Sequence, residues 1–114
     1  CVECHKPGAE GESFDLTAEK AYTALVDYGD PSLRTHVMSR YRQGFSTAGA
    51  CAAEVSPLMA LVDDGHYDVR LDADERRRLI VWIDTYAQQR GTFDADQEDH
   101  LRELRRRMAS LLGD

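Results

Sequence analysis

Apolar side chains recur along this chain at intervals of three and four residues, with little of the alternation that marks a strand, so the pattern predicts helices joined by loops. A first helix, roughly 18–28, is expected to bury Ala21, Leu25 and Tyr28, or Tyr22, Leu25 and Val26, with Thr17 as its cap and Asp30-Pro31 as its stop. Residues 32–42 form a short second helix with Leu33, Val37 and Tyr41 on one face. The stretch 43–55 is rich in Gly, Ala and Ser, has no period, and reads as loop. Ser56-Pro57 then pairs an N-cap with proline at the first helical position. The short helix it opens ends at Gly65 and buries Leu58, Leu61 and Val62.

The last third is the most regular. Asp72-Ala73-Asp74-Glu75 has the form of a capping box, and a helix over 73–90 should follow. Leu79, Ile80, Trp82, Ile83 and Tyr86 are its core stripe, and Gly91 is its stop. Asp94-Ala95-Asp96-Gln97 repeats the capping logic for a final helix to about residue 112. Acids (Asp96, Glu98, Asp99) open that helix and Arg105, Arg106 and Arg107 lie towards its end, which suits the helix dipole. Leu101, Leu104, Met108 and Leu111 or Leu112 form its apolar seam. The arginine triplets at 76–78 and 105–107 read as solvated helix faces.

A chain of 114 residues with 42% hydrophobic content is expected to fold as a single all-α domain spanning residues 1–114. Its net charge of −7 disfavours nucleic acid and anionic membrane surfaces and favours basic or neutral partners. No apolar run approaches the length of a membrane span.

The chemistry is concentrated at the start. Cys1-Val2-Glu3-Cys4-His5 is the Cys-x-x-Cys-His attachment signature of a c-type haem. Two thiols at that spacing add across the two vinyl groups of one porphyrin, and the adjacent His5 supplies the proximal nitrogen to iron. A dithiol redox site would need a preceding strand, and zinc would need further ligands in a second close pair. Residues 6–16, with Pro7, Gly8 and Gly11, should wrap the haem edge as loop. Haem attachment takes place outside the cytoplasm, so the expected setting is periplasmic or otherwise extracytoplasmic. The expected origin is a processed product or the last domain of a longer secreted polypeptide. With Cys1 and Cys4 occupied, Cys51 lacks a disulfide partner and reads as a small buried hydrophobe, an exposed thiol or an intermolecular bridge.

The second axial ligand must come from His36, His66, His100, Met38, Met59 or Met108. His100 and Met108 lie on the final helix, and Met59, flanked by Leu58 and Leu61, reads as core packing. His66 follows Gly65 in a loop just before the capped helix, where a ligand can approach iron closely on rigid support. On the residues alone His66 leads, with Met38, Met59 and His36 left open.

The segment Ser56-Pro57-Leu58, then Leu61, Gly65-His66, Val69, Leu71 and Arg78-Leu79-Ile80-Val81-Trp82-Ile83-Asp84 resembles the C-terminal cytochrome c domain of the hydrazine synthase alpha-subunit-like family of planctomycete-type proteins. Those domains carry a Cys-x-x-Cys-His motif, an S-x-L segment, a G-H-x-x-V-x-L loop and an R-L-x-x-W-[IL]-D helix. The resemblance runs from Cys1 to about Gly91. It implies that His66 is the distal ligand and that ligation is bis-histidine. The chain departs from the family at Thr85-Tyr86-Ala87-Gln88-Gln89-Arg90-Gly91, where an N-x-x-[FY]-Y-G ending is usual, and nothing in it resembles the family's separate catalytic haem domain.

The expectation is therefore a small monohaem cytochrome c-like domain, about four to five helices around one covalent haem. Cys1 and Cys4 hold the porphyrin, His5 and His66 close the iron, and electrons pass to redox partner proteins or to other haem domains of the same polypeptide. The alternative is a haem enzyme or a domain binding NO, CO or peroxide at an open distal position, assisted by Tyr67, His36 or Arg34. A further expectation is that the final helix (95–112) docks on a partner chain or on the parent polypeptide, or joins copies into an oligomer, with packing of its seam on its own domain as the alternative.

Overall fold

Five helices follow one another in the computed structural model, which describes residues 1–92 and 94–112: α1 (Ala21–Val26), α2 (Leu33–Gln43), α3 (Pro57–Asp63), α4 (Ala73–Asp84) and α5 (Ala95–Leu112). The side chains of Ser110 and Leu112 lie outside that description. Among the described residues there is no strand, only an isolated bridge between Gly29 and Ser32. The chain is all-α.

Local chemistry accounts for the helix ends. Ser32 caps α2 by accepting from the Thr35 amide, and Gly44 closes it in the left-handed region at φ 77°. Ser56 is buried and accepts from the Leu58 amide, while Pro57 supplies the preset first-turn geometry of α3. At α4 the reciprocal box forms in full: Asp72 accepts from the Glu75 amide at 2.8 Å and Glu75 from the Asp72 amide at 2.9 Å. Asp94 accepts from the Gln97 amide at 2.8 Å at the start of α5.

Two expectations need correction. The first helix is shorter than 18–28, and Thr17 starts it through its backbone carbonyl, which accepts from Lys20 and Ala21, not through its hydroxyl. The fourth helix ends at Asp84 rather than at residue 90. There the Thr85 hydroxyl donates to the Val81 carbonyl, Tyr86 and Ala87 turn left-handed (φ 74° and 47°), and the Trp82 indole N–H donates to the Gln88 carbonyl at 3.1 Å. That reversal still leaves Ala87 buried in the core. The seam of α5 is open: Leu101, Leu104, Met108 and Leu111 are 46%, 36%, 44% and 79% exposed.

The core lies among α1–α4. Val26, Leu33 and Ile83 are its most deeply buried large side chains, joined by Val37, Leu58, Met59 and three alanines (Ala52, Ala53 and Ala87). Leu79, Ile80 and Trp82 pack against it from α4, and Tyr22, Leu25, Tyr28 and Met38 from the other side. The Asp84 carboxylate accepts from the Ala53 amide at 2.9 Å, tying the loop before α3 to the end of α4. α5 stands apart. The radius of gyration is 16.4 Å, against about 13 Å for a compact domain of this size. No helix among the described residues is long and apolar enough to cross a membrane.

Ile83→Ala is expected to cost about 2–5 kcal/mol in urea unfolding, because it opens a cavity in the centre of this core. Val81→Ala, on the exposed side of the same helix, should stay within about 0.5 kcal/mol. Equal losses would show that α4 does not face the core as described.

Candidate functional site

The first sixteen residues contain no helix and no strand, yet their backbone is tied together throughout. The Cys1 carbonyl accepts from the amides of Cys4 and His5, at 3.1 and 2.9 Å, winding the Cys-x-x-Cys-His segment into one turn. The Gly11 amide donates to the Cys4 carbonyl at 2.8 Å, and the Leu16 amide donates to the His5 carbonyl at 2.9 Å. The Gly11 carbonyl accepts from the Phe14 amide at 3.0 Å and lies 3.1 Å from His5 Nδ1. A carbonyl only accepts, so Nδ1 carries the proton and Nε2 of the neutral ring is left with its lone pair. Gly11 is required for this approach: a Cβ there would lie 2.6 Å from His5 Nδ1 and 2.9 Å from the Cys4 carbonyl oxygen. Phe14 sets its ring edge-on to His5 at 5.5 Å between centroids, and Tyr28 at the end of α1 backs Phe14 in the same way at 5.5 Å. Asp15 anchors the exit of the loop. It accepts from the Thr17 amide, which holds its carboxyl below the usual range, with Lys20 adding to the effect.

His66 arrives on the short connection between α3 and α4. Gly65 (φ 83°), Tyr67 (φ 48°) and Asp68 (φ 61°) are all left-handed, the last two without glycine's freedom, so this is a strained turn of the kind that accumulates at functional sites. Its ends are clamped. Asp63, the last residue of α3, accepts two hydrogen bonds from the Arg76 guanidinium on α4, at 2.6 and 2.7 Å. That pairing holds the Asp63 carboxyl below its ordinary value, chiefly through the hydrogen bonds.

The two segments meet. The His5 and His66 rings are 5.9 Å apart between centroids, with planes only 23° from parallel, and both residues are half-buried. Metal–imidazole bonds of about 2 Å on opposite sides of one metal would put two ring centres roughly 6 Å apart, so the separation of the pair is compatible with two imidazoles sharing one metal. Cys1 and Cys4 are exposed free thiols on the same turn as His5, open to a group seated beside the ring. The donor set fits a c-type haem by its chemistry: two thiols for the porphyrin, one imidazole held by the Gly11 carbonyl, and a second imidazole close by. No group of three or more His, Cys, Asp and Glu side chains comes together among the described residues, as a protein-only zinc site would require.

The other candidates are placed elsewhere. Met59 is 4% exposed and belongs to the core, and Met38 packs against that core. His100 and Met108 lie exposed on α5. His36 sits on α2 with Nε2 shielded from solvent and without a hydrogen-bond partner. Arg34 pairs with Asp27 at 2.9 Å. Tyr67 is 82% exposed, its ring edge-on to His66 at 4.7 Å. Cys51 is half-buried, its thiol 3.7 Å from the Thr47 carbonyl, beside a cavity of about 20 Å³ that Arg40 and Asp84 also line. A shallow groove of about 500 Å³ over Arg77, Arg78, Val81 and Trp82 follows the outer face of α4. Sequence reasoning missed Gly11 and Phe14, whose part depends on a backbone approach and a ring contact that no spacing rule encodes.

No known protein family matches the chain, and neither a curated protein nor a solved structure matches it.

Gly11→Ala should drive the His5 ring from its place: NMR cross-peaks linking His5 to Phe14 and to His66 are expected to disappear while those of the Ile83 core persist. Asp63→Asn should lower the melting temperature near neutral pH. A carboxyl whose folded pKa is depressed stabilises above its unfolded value of about 4 and loses that contribution as pH falls through the lower folded value. The gap between variant and wild type should therefore close in acid, and a gap independent of pH would show that the clamp is not ionic.

Proposed function

We propose that this chain is an extracytoplasmic electron-transfer domain carrying one haem c, bound through Cys1 and Cys4 and ligated by His5 and His66. The observation that carries the reading is the near-parallel His5–His66 pair at 5.9 Å, one ring following the Cys-x-x-Cys segment and the other on the Gly65-His66 loop. The family resemblance of that loop supports the same assignment. When bound, the haem supplies a single redox-active iron that cycles between two oxidation states.

The residues of the chain do the rest. The Gly11 carbonyl, by accepting from His5 Nδ1, fixes the tautomer and raises the basicity of Nε2. Phe14 and Tyr28 restrict the ring's rotation from the side. The Asp63–Arg76 clamp holds the turn that carries His66 near His5, so that both imidazoles would be available to hold the iron and leave no open position for water or a small ligand. Two imidazoles in place of a His/Met pair also favour a low reduction potential. The two segments that meet here carry most of the chain's excess negative charge, including Glu3, Glu10, Glu12, Asp64, Asp68 and Asp72, which fits redox partners with basic surfaces.

The haem-loaded, oxidised protein is expected to give a low-spin EPR spectrum and a near-infrared bis-imidazole charge-transfer band. His66→Ala should convert it to a high-spin or ligand-exchanging form that binds CO when reduced. A low-spin spectrum unchanged by His66→Ala would remove His66 from the iron. A methionine charge-transfer band would move the ligand to Met38 or Met59, and a high-spin wild type would favour small-ligand chemistry instead.

A further inference from the structure

α4 carries a stripe that the core does not use. Asp74, Arg77, Arg78, Val81 and Trp82 recur at the helical repeat, so they form one row along the helix, and together they line the open groove of about 500 Å³. Ile83 faces the other way and is fully buried, whereas Arg77, Arg78 and Val81 are exposed. Trp82 stands at the edge of the row. Its ring packs on the core, with Tyr22 edge-on at 6.5 Å, and also forms part of the groove wall.

The charges of this row set it apart. Elsewhere arginines find carboxylates: Arg34 pairs with Asp27, Arg76 with Asp63, Arg90 and Arg102 with Glu98, and Arg106 with Glu103. Among the described residues no hydrogen bond or ion pair engages Arg77, Arg78 or Asp74, although the chain holds 21 acids to 14 basic residues. Two free guanidiniums beside an indole and an exposed valine suit a carboxylate joined to an apolar group. The groove is open along its length, so it cannot surround a small molecule as a closed pocket does, but it can receive a segment of another protein. A net charge of −7 disfavours an anionic membrane as the occupant.

The row also has an order. Asp74 comes first, the arginine pair about one turn later, and Val81 with Trp82 about one turn after that, steps of roughly 5–6 Å. Alternate side chains of an extended segment are spaced by roughly 6.6 Å, close to that step. We propose that the groove docks an extended segment of a partner protein with a basic, an acidic and an apolar side chain at alternate positions. The basic group meets Asp74, the acidic one Arg77 and Arg78, and the apolar one Val81 and Trp82. The contact is independent of the histidine pair.

The test is an NMR titration of the intact chain with two capped synthetic peptides, Lys-Ser-Glu-Ser-Leu and its charge-swapped form Glu-Ser-Lys-Ser-Leu, each also made in the reversed direction. The chain has one tryptophan, so its indole N–H resonance reports directly from the groove. The first pattern is expected to bind about tenfold more tightly than the swapped one in one of its two directions, and to weaken as salt is raised. Arg77→Glu combined with Arg78→Glu should reverse the preference, and Val81→Ala should weaken the matched peptide, with the Ile83 resonances unmoved in both to show that the fold is kept. Arg70→Glu, an exposed change outside the groove, should leave binding as it was. A Trp82 resonance that neither peptide moves, equal binding of the two patterns, or an unreversed preference in the arginine variant would overturn the proposal. So would a concentration-dependent dimer in sedimentation equilibrium that the arginine variant disperses, or phosphatidylserine vesicles that capture the chain through Arg77 and Arg78 in preference to the peptide.

Discussion

The contact between the His5 imidazole and the backbone of Gly11 is the constraint on which the site depends. Nothing else in the first sixteen residues has the regularity of a helix or sheet to aim a side chain. Gly11 donates through its amide to Cys4 and accepts through its carbonyl from Phe14 and His5, so one residue without a side chain joins both ends of the loop to the ring they surround. The close approach and the tautomer are two results of the same geometry. A larger residue would lose both together, because the space its Cβ needs is the space the ring occupies.

The opposite side is held by a different kind of force. His66 lies between two helices whose buried faces, Leu58 and Met59 on α3 and Ile83 on α4, share one core. The left-handed residues of its turn are tolerated because those helices cannot separate without exposing that core. The exposed Asp63–Arg76 pair closes the base of the turn on the solvent side. One ring is thus placed by backbone hydrogen bonding and the other by packing and charge. The pair exists only when both arrangements are complete.

Much of the scaffold was legible from pattern and chemistry. The Ser56-Pro57 start of α3 and the Asp72–Glu75 box of α4 follow from side chains acting on neighbouring amides, and such local rules transfer to any fold. The turn from Cys1 to His5 and the position of His66 on the connection between α3 and α4 could likewise be placed from the sequence. What escaped were effects of tertiary origin. The end of α4 at Asp84 goes with the left-handed backbone of Tyr86 and Ala87 and with the reach of the Trp82 indole to Gln88, neither visible in a helical period that continues to Tyr86. The α5 seam has the same spacing as a packed stripe, and spacing does not say whether a partner lies in the same chain.

His5 and His66 lie about sixty residues apart in sequence, and no disulfide among the described residues joins the segments that bring them together. Keeping two such distant rings in contact costs chain entropy, and that cost falls on the small core of α1–α4. Any group gripping both rings would act as a clasp on this long loop, holding closed what the core alone must otherwise hold. Occupancy of the pair and stability of the fold are then a single linked equilibrium, in which loosening the protein anywhere along the loop weakens the grip and filling the site tightens the whole domain.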